Sequence, residues 1–161
     1  MSPRPPLRVA ESDPRWFRDR PQVDAVVDSG PLIALFNRAD HWHPRVRDWL
    51  ERNQHVRLYG TWPVLTEVCA LLARRIRNDA ALDFLQWVQR GAIRVDSPPA
   101  ASLDAVVSIL RRYDSLPLDL ADASVAELAA RRGIHQVLTI DRDFEVYRDA
   151  RGRRLRSLLE P

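Results

Sequence analysis

The sequence predicts an α/β domain built on a parallel sheet with helices on both faces. Three observations carry this expectation. Short runs rich in Val, Ile and Leu alternate with longer stretches of helical apolar spacing, the pattern of linked strand–helix–strand units. The first such run, VDAVV at residues 23–27, consists of β-branched and small apolar residues around one aspartate and reads as a buried strand. The chain has 161 residues and is 45% hydrophobic, which suits one domain with a sizeable core.

The elements follow in order. Residues 1–21, MSPRPPLRVAESDPRWFRDRP, hold five prolines and five arginines without periodicity. They read as an irregular extension, with the domain itself expected over residues 22–161. Strand one is residues 23–27. Helices are predicted at 30–38, with Pro31 in the first turn, and at 43–53. VRLYGT, residues 56–61, is strand two. Residues 63–76 form an apolar helix opened by Pro63, and residues 79–91 another closed by Gly91. IRVDS, residues 93–97, is strand three. Helices follow at 100–114 and 119–133. QVLTI, residues 136–140, is strand four, residues 141–149 a short helix, and residues 153–159 a candidate fifth strand. No internal repeat is present. Right-handed crossovers leave few topologies open, the order 3-2-1-4-5 among them.

Composition excludes several function classes. No apolar run approaches the ~20 residues of a membrane span. The start of the chain has no apolar core of a secretory signal. The single cysteine, Cys69, allows neither an internal disulfide nor a cysteine-based metal cluster, and reads as a core residue in a reducing, cytoplasmic setting. All 25 basic residues are arginine, and the net charge is +3. Without lysine there is no Walker-type phosphate loop and no Schiff base. Arginine grips phosphate bidentately, so the balance is compatible with nucleic acid. A GC-rich coding sequence is the alternative source of the bias.

The acidic residues carry the chemistry. In open parallel sheets, sites form beyond the carboxyl ends of the strands where strand order reverses. Asp28 follows strand one and Asp141 follows strand four. In the order 3-2-1-4-5 these strands are neighbours across the reversal. Glu67 lies one turn into the helix after strand two. Asp119 and Asp122 open the helix leading into strand four, three residues apart on one face. Each has a plainer reading: Asp28, Asp119 and Asp141 as helix caps, Asp122 as a dipole partner, Glu67 as a solvated flank, Asp143 as surface. Together they place four or five carboxylates at one edge. Two carboxylates about 4 Å apart repel by roughly 4 kcal/mol at an effective dielectric near 20. Oxygen-only ligands of this kind suit Mg²⁺ or Mn²⁺.

The segments VVDSGPLIALFNRADHWHPRV, TWPVLTEVCALL and LPLDLADASVAELAARRGIHQVLTIDRDF resemble the PIN-domain ribonucleases, in particular the VapC-type toxins of bacterial toxin–antitoxin pairs. The resemblance runs from about residue 23 to 145. It implies a three-layer α/β/α fold with a four- to five-stranded parallel sheet in the order 3-2-1-4-5. By that resemblance Asp28, Glu67, Asp122 and Asp141 are the metal-binding and catalytic set, with Asp119 an accompanying acid. It further implies Mg²⁺- or Mn²⁺-dependent RNA hydrolysis, a homodimer, and a small antitoxin that inserts into the active-site groove. The first 22 residues have no counterpart in the pattern. Ser29 and Thr139 are candidates to orient ligands through their hydroxyls, with capping and packing as the alternatives. Asp122 is expected to be the direct ligand, and Asp119 the N-cap that accepts the amide hydrogen of Asp122.

Other features weigh less. His41 and His43 in HWH have poor spacing for a metal site on a helix, and no third nitrogen ligand is in evidence; His43 reads as a packing residue at a helix start. Trp49 and Trp87 sit at core spacing, while Trp42 and Trp62 lie nearer the site edge. Arg74–Arg75, Arg111–Arg112 and Arg131–Arg132 read as solvated helix ends. RDARGRRLRS, residues 148–157, is the densest basic run and the first choice for phosphate contact. Two rivals remain open: a Mg²⁺-dependent phosphatase-like enzyme, which by resemblance would carry a lysine that this chain lacks, and a non-catalytic RNA-binding or scaffolding PIN domain.

Overall fold

The structure, a computed structural model, describes residues 22–149 and 151–159; the extension expected at residues 1–21 lies outside them. Five strands form one all-parallel sheet in the order β3-β2-β1-β4-β5, as expected. The strands are β1 (Val23–Val27), β2 (Val56–Gly60), β3 (Arg94–Val95), β4 (Gln136–Leu138) and β5 (Arg156–Ser157). The helices are α1 (Ser29–Phe36), α2 (His43–Arg52), α3 (Trp62–Arg75), α4 (Asn78–Trp87), α5 (Ser102–Arg112), α6 (Leu120–Arg132) and α7 (Asp143–Val146). Among the described residues no helix is long and apolar enough to cross a membrane.

The central strand sets the layering. Ala25, Val26 and Val27 are fully buried in succession. Neighbouring residues of a strand point to opposite faces, so both faces of β1 are covered. Phe84, Leu72, Leu128 and Phe144 fill the core around it. Phe36 meets Phe84 and Trp87 edge to face, with centroids 5.5 and 5.7 Å apart. Trp49 and Trp87 pack against this core, as expected of them.

Several elements are shorter than the sequence predicts, each for a local reason. The helix expected to end at Gly91 leaves α geometry at Val88 and runs on as a π-helical turn to Ala92, with Gly91 at φ 93°, a conformation that favours glycine. The third strand keeps only Arg94–Val95, because Asp96 is drawn into ion pairs and Pro98 and Pro99 follow. The fourth ends at Leu138, where Thr139 turns its hydroxyl to Asp28. The helix expected over 141–149 covers only Asp143–Val146. Tyr147 leaves it to bury its ring, and its hydroxyl donates to the Ala126 carbonyl at 3.3 Å. The Tyr113 hydroxyl then accepts the Arg148 amide hydrogen at 2.9 Å.

Candidate metal centre

Asp28 sits where β1 becomes α1, and it is only 3% exposed. Its Oδ1 accepts from the Ser29 amide at 2.6 Å, the contact of a helix cap. Its Oδ2 accepts from the Thr139 hydroxyl at 2.9 Å. Thr139 is fully buried at the end of β4 and also accepts the Asp141 amide hydrogen at 2.9 Å. One hydroxyl therefore orients the Asp28 side chain and the Asp141 backbone together. The Ser29 hydroxyl stands 3.5 Å from Asp28 Oδ1, so Ser29 acts through its amide.

The second bank of the site comes from α3 and α6. Asp119 is the N-cap of α6, and its Oδ1 accepts the Asp122 amide hydrogen at 3.0 Å, as the sequence leads one to expect. The box is reciprocal: Asp122 Oδ2 accepts the Asp119 amide hydrogen at 3.0 Å. Val125, Ala126 and Ala129, on the same face as Asp122, are buried. Thr61 caps α3 by accepting from Val64, and its hydroxyl lies 2.7 Å from Ser124 Oγ. Ser124 donates to the Ala121 carbonyl at 2.7 Å. The Thr61 hydroxyl thus donates to Ser124, and this buried relay locks the starts of α3 and α6 together. Glu67 on α3 and Asp122 on α6 are held across one opening by it.

The third bank is the β4–α7 turn. Asp141 is exposed, and its Oδ1 accepts the Asp143 amide hydrogen at 2.9 Å. Close approach of this turn to α1 depends on Gly30. A Cβ there would stand 2.7 Å from Ile140 Cγ1. The three banks enclose an open cleft of about 620 Å³ lined by Asp28, Glu67, Asp119, Asp122 and Asp141, with Arg142 at its edge.

Among the described residues no arginine pairs with any of the five acids in the cleft. The buried carboxylates elsewhere among the described residues do have such partners: Asp96 has Arg131 and Arg132, Glu127 has Arg131, and Asp149 has Arg153; half-buried Asp24 has Arg57. The electrostatics follow. Burial pushes the Asp28 pKa up to about 6 against the hydrogen bonds of Thr139 and Ser29, with Asp141 and Glu67 adding charge repulsion. Burial also pushes Asp122 up to about 7, against the Asp119 amide and with repulsion from Asp28, Asp119 and Asp141. Among the described residues no three acidic or imidazole side chains are gathered tightly enough, as they stand, to hold an ion. Unpaired carboxylates repel and stay apart, and the four aspartates are each tied to a nearby amide or hydroxyl. The donor set nevertheless fits a hard divalent cation: all oxygen, surplus negative charge, no guanidinium bonded to it.

The other sequence expectations divide. His41 and His43 join no ligand group among the described residues. His43 donates from Nδ1 to the Ala34 carbonyl at 2.9 Å, a packing role that ties α2 to α1. Trp42 is half-buried with Arg45 over its ring, while Trp62 is exposed. The pair Arg131–Arg132 is not a solvated helix end. Both arginines bond buried Asp96, and Arg131 also bonds buried Glu127, which accepts from Ser102 at 2.7 Å. Burial raises the Asp96 carboxyl, but hydrogen bonds and charge from Arg131 and Arg132 hold it below the usual range. A lone Asp96 within the predicted third strand gave no sequence signal of this partnership. In RDARGRRLRS, Arg153 bonds Asp149, and Arg148 donates to the carbonyls of Glu145, Val146 and Tyr147. That run spends two of its arginines on its own turn.

Comparison with known proteins places this geometry in a family. The family model for the PIN domain matches residues 25–150. The ribonuclease VapC26 of Mycobacterium tuberculosis is 28% identical over 117 residues, covering 73% of this chain and 86% of that protein. The crystal structure of Mycobacterium tuberculosis VapC20, a Sarcin-Ricin loop cleaving toxin, superposes with a TM-score of 0.70 at 24% identity, covering 76% of this chain and 93% of that one. VapBC2 of Rickettsia felis, bound to a DNA fragment from its promoter, superposes with a TM-score of 0.59 at 11% identity, covering 84% and 98%. These two likenesses are of fold.

Proposed function

The chain belongs to the PIN-domain family, and from that premise we propose that it is a Mg²⁺- or Mn²⁺-dependent endoribonuclease, the toxin of a VapC-type toxin–antitoxin pair. One observation carries the reading: five carboxylates ring one cleft at the carboxyl ends of β1 and β4, and no arginine among the described residues pairs with any of them. A fold that matches its other buried carboxylates with arginine leaves these unmatched for a cation. The likeness to a ribonuclease over most of both chains supports RNA as substrate.

In this reading Asp28, Glu67, Asp122 and Asp141 hold the ion, and Asp119 keeps α6 in place. The bound ion supplies a Lewis acid that lowers the pKa of a water and offsets charge on the scissile phosphate. The chain's own residues prepare the site. Thr139 and the Ser29 amide fix both oxygens of Asp28. The capping box occupies Asp122 Oδ2 and leaves its Oδ1 for the cleft. The Thr61–Ser124 relay sets the α3 bank against the α6 bank. The domain over residues 22–161, a homodimer and a small antitoxin partner belong to the same proposal.

The test is cleavage of RNA by the purified chain with Mg²⁺ or Mn²⁺, with EDTA, and with Asp28→Asn. Cleavage that needs the metal and Asp28 is expected. Expression alone is expected to slow bacterial growth, and a co-expressed antitoxin to relieve it. Metal-independent cleavage would overturn the role given to the acids as metal ligands, and no cleavage by soluble protein that also leaves growth unchanged would favour a scaffolding PIN domain.

A further inference from the structure

Among the described residues Arg142 is the one basic residue that lines the acidic cleft. It follows Asp141 and is exposed. Among the described residues its side chain makes no hydrogen bond or ion pair, although five carboxylates share the cleft. Elsewhere arginines near carboxylates close on them: Arg57 on Asp24 at 2.6 Å, Arg132 on Asp96 at 2.8 Å, Arg153 on Asp149 at 2.8 Å. The cleft thus presents two unmet charges of opposite sign side by side. The acids await a cation, and the guanidinium an anion. A phosphodiester held beside a divalent cation satisfies both at once, whereas a free cation leaves Arg142 unmatched and a free anion leaves the acids unmatched.

We propose that Arg142 contacts a phosphate of the RNA backbone at the cleft, with its guanidinium donating to non-bridging oxygens. The inference rests on the nuclease reading and adds the residue that anchors the substrate. The basic run at residues 148–157, which the sequence favours for that role, commits Arg148 and Arg153 to its own fold. Arg142 carries no such commitment. Phosphate contacts position a nucleic acid and carry no sequence information, so Arg142 sets affinity for RNA of any sequence.

The test uses the full chain, a labelled single-stranded RNA of mixed sequence, and Ca²⁺ as an oxygen-seeking ion. Binding is followed by fluorescence anisotropy over a range of salt. Arg142→Ala is expected to weaken binding about three- to tenfold and to reduce the slope of log K against log salt by about 0.7, the value for one phosphate contact on a single strand. Arg142→Lys is expected to keep the slope. Arg90→Ala, an exposed arginine in the π-helical turn after α4, controls for net charge and is expected to leave the slope unchanged. Mn²⁺ affinity without RNA is expected to hold or to tighten in Arg142→Ala. A slope in Arg142→Ala that matches Arg90→Ala overturns the inference alone, and so does a loss of Mn²⁺ binding. Wild-type chain that neither binds nor cleaves RNA overturns the nuclease reading and this inference with it.

Discussion

Asp28 and Thr139 are 111 residues apart in the chain, and a 2.9 Å hydrogen bond joins them at the β1–β4 seam. Neither residue is more than 3% exposed. Thr139→Val keeps the shape and removes both the donor to Asp28 and the acceptor for the Asp141 amide. It is expected to cost about 1–3 kcal/mol of stability, as other buried groups left unpaired do. It is also expected to raise the Asp28 pKa, since the lost bond lowers it, and so to move the acid limb of the cleavage profile to higher pH. Thr139→Ser restores both functions. Thermal unfolding with a pH–rate profile reads the result, and a wild-type profile in Thr139→Val would remove Thr139 from the site.

Asp28 and Asp122, with folded-state pKa values of about 6 and about 7, make metal-free stability depend on pH. Both lie above the value of about 3.9 expected for an unfolded aspartate. The stability linked to their protonated forms is fully present below about pH 4 and is lost as pH rises through 6 and 7. Melting temperatures without metal are expected to fall over that window, and Mn²⁺ to restore them. Asp28→Asn should flatten part of the fall and melt at or above wild type near neutral pH, while abolishing cleavage. A flat wild-type profile would contradict the mutual repulsion of the acids.

The two acids that open α6 are expected to separate by substitution. Asn keeps the capping oxygen at position 119. Asp119→Asn should therefore leave stability close to wild type and Mn²⁺ affinity little changed, while Asp119→Ala should cost about 1 kcal/mol. Asp122→Asn should weaken Mn²⁺ binding far more than Asp119→Asn. Calorimetric titration with Mn²⁺ decides it, and the reverse ranking would make Asp119 the ligand.

Asp96 is expected to respond in the opposite sense to Asp28. It is 4% exposed, and both Arg131 and Arg132 bond it. Asp96→Ala is predicted to destabilise the fold by roughly 2 kcal/mol. This falls short of the ~3–5 kcal/mol of a fully buried pair, because the two arginines can rehydrate. Its stabilisation is present above the unfolded pKa and is lost as pH falls through the lowered folded value. Equilibrium denaturation at neutral pH measures it, and a variant as stable as wild type would show the network to be energetically silent.

What the sequence determined by itself is what local pattern encodes. Apolar runs and helical spacing gave the alternation of strands and helices and set Asp28 and Asp141 at strand ends. The spacing of Asp119 and Asp122, with Pro117 ahead of them, located the cap, because a capping bond spans only three residues. Partners chosen across the fold were not legible. Thr139 could have served its own turn alone, and nothing near Asp96 announced Arg131 and Arg132 on α6. The half of the capping box returned by Asp122 also went unread, since aspartate at that position can as well face solvent. The reason is physical: a side chain's partner is set by which element crosses it and at what depth, and only chain crossing brings residues 111 positions apart to 2.9 Å. Among the described residues the same crossing left the five cleft acids without an arginine while matching Asp24 and Asp96, a division that the composition, 25 arginines against 22 acids, does not contain.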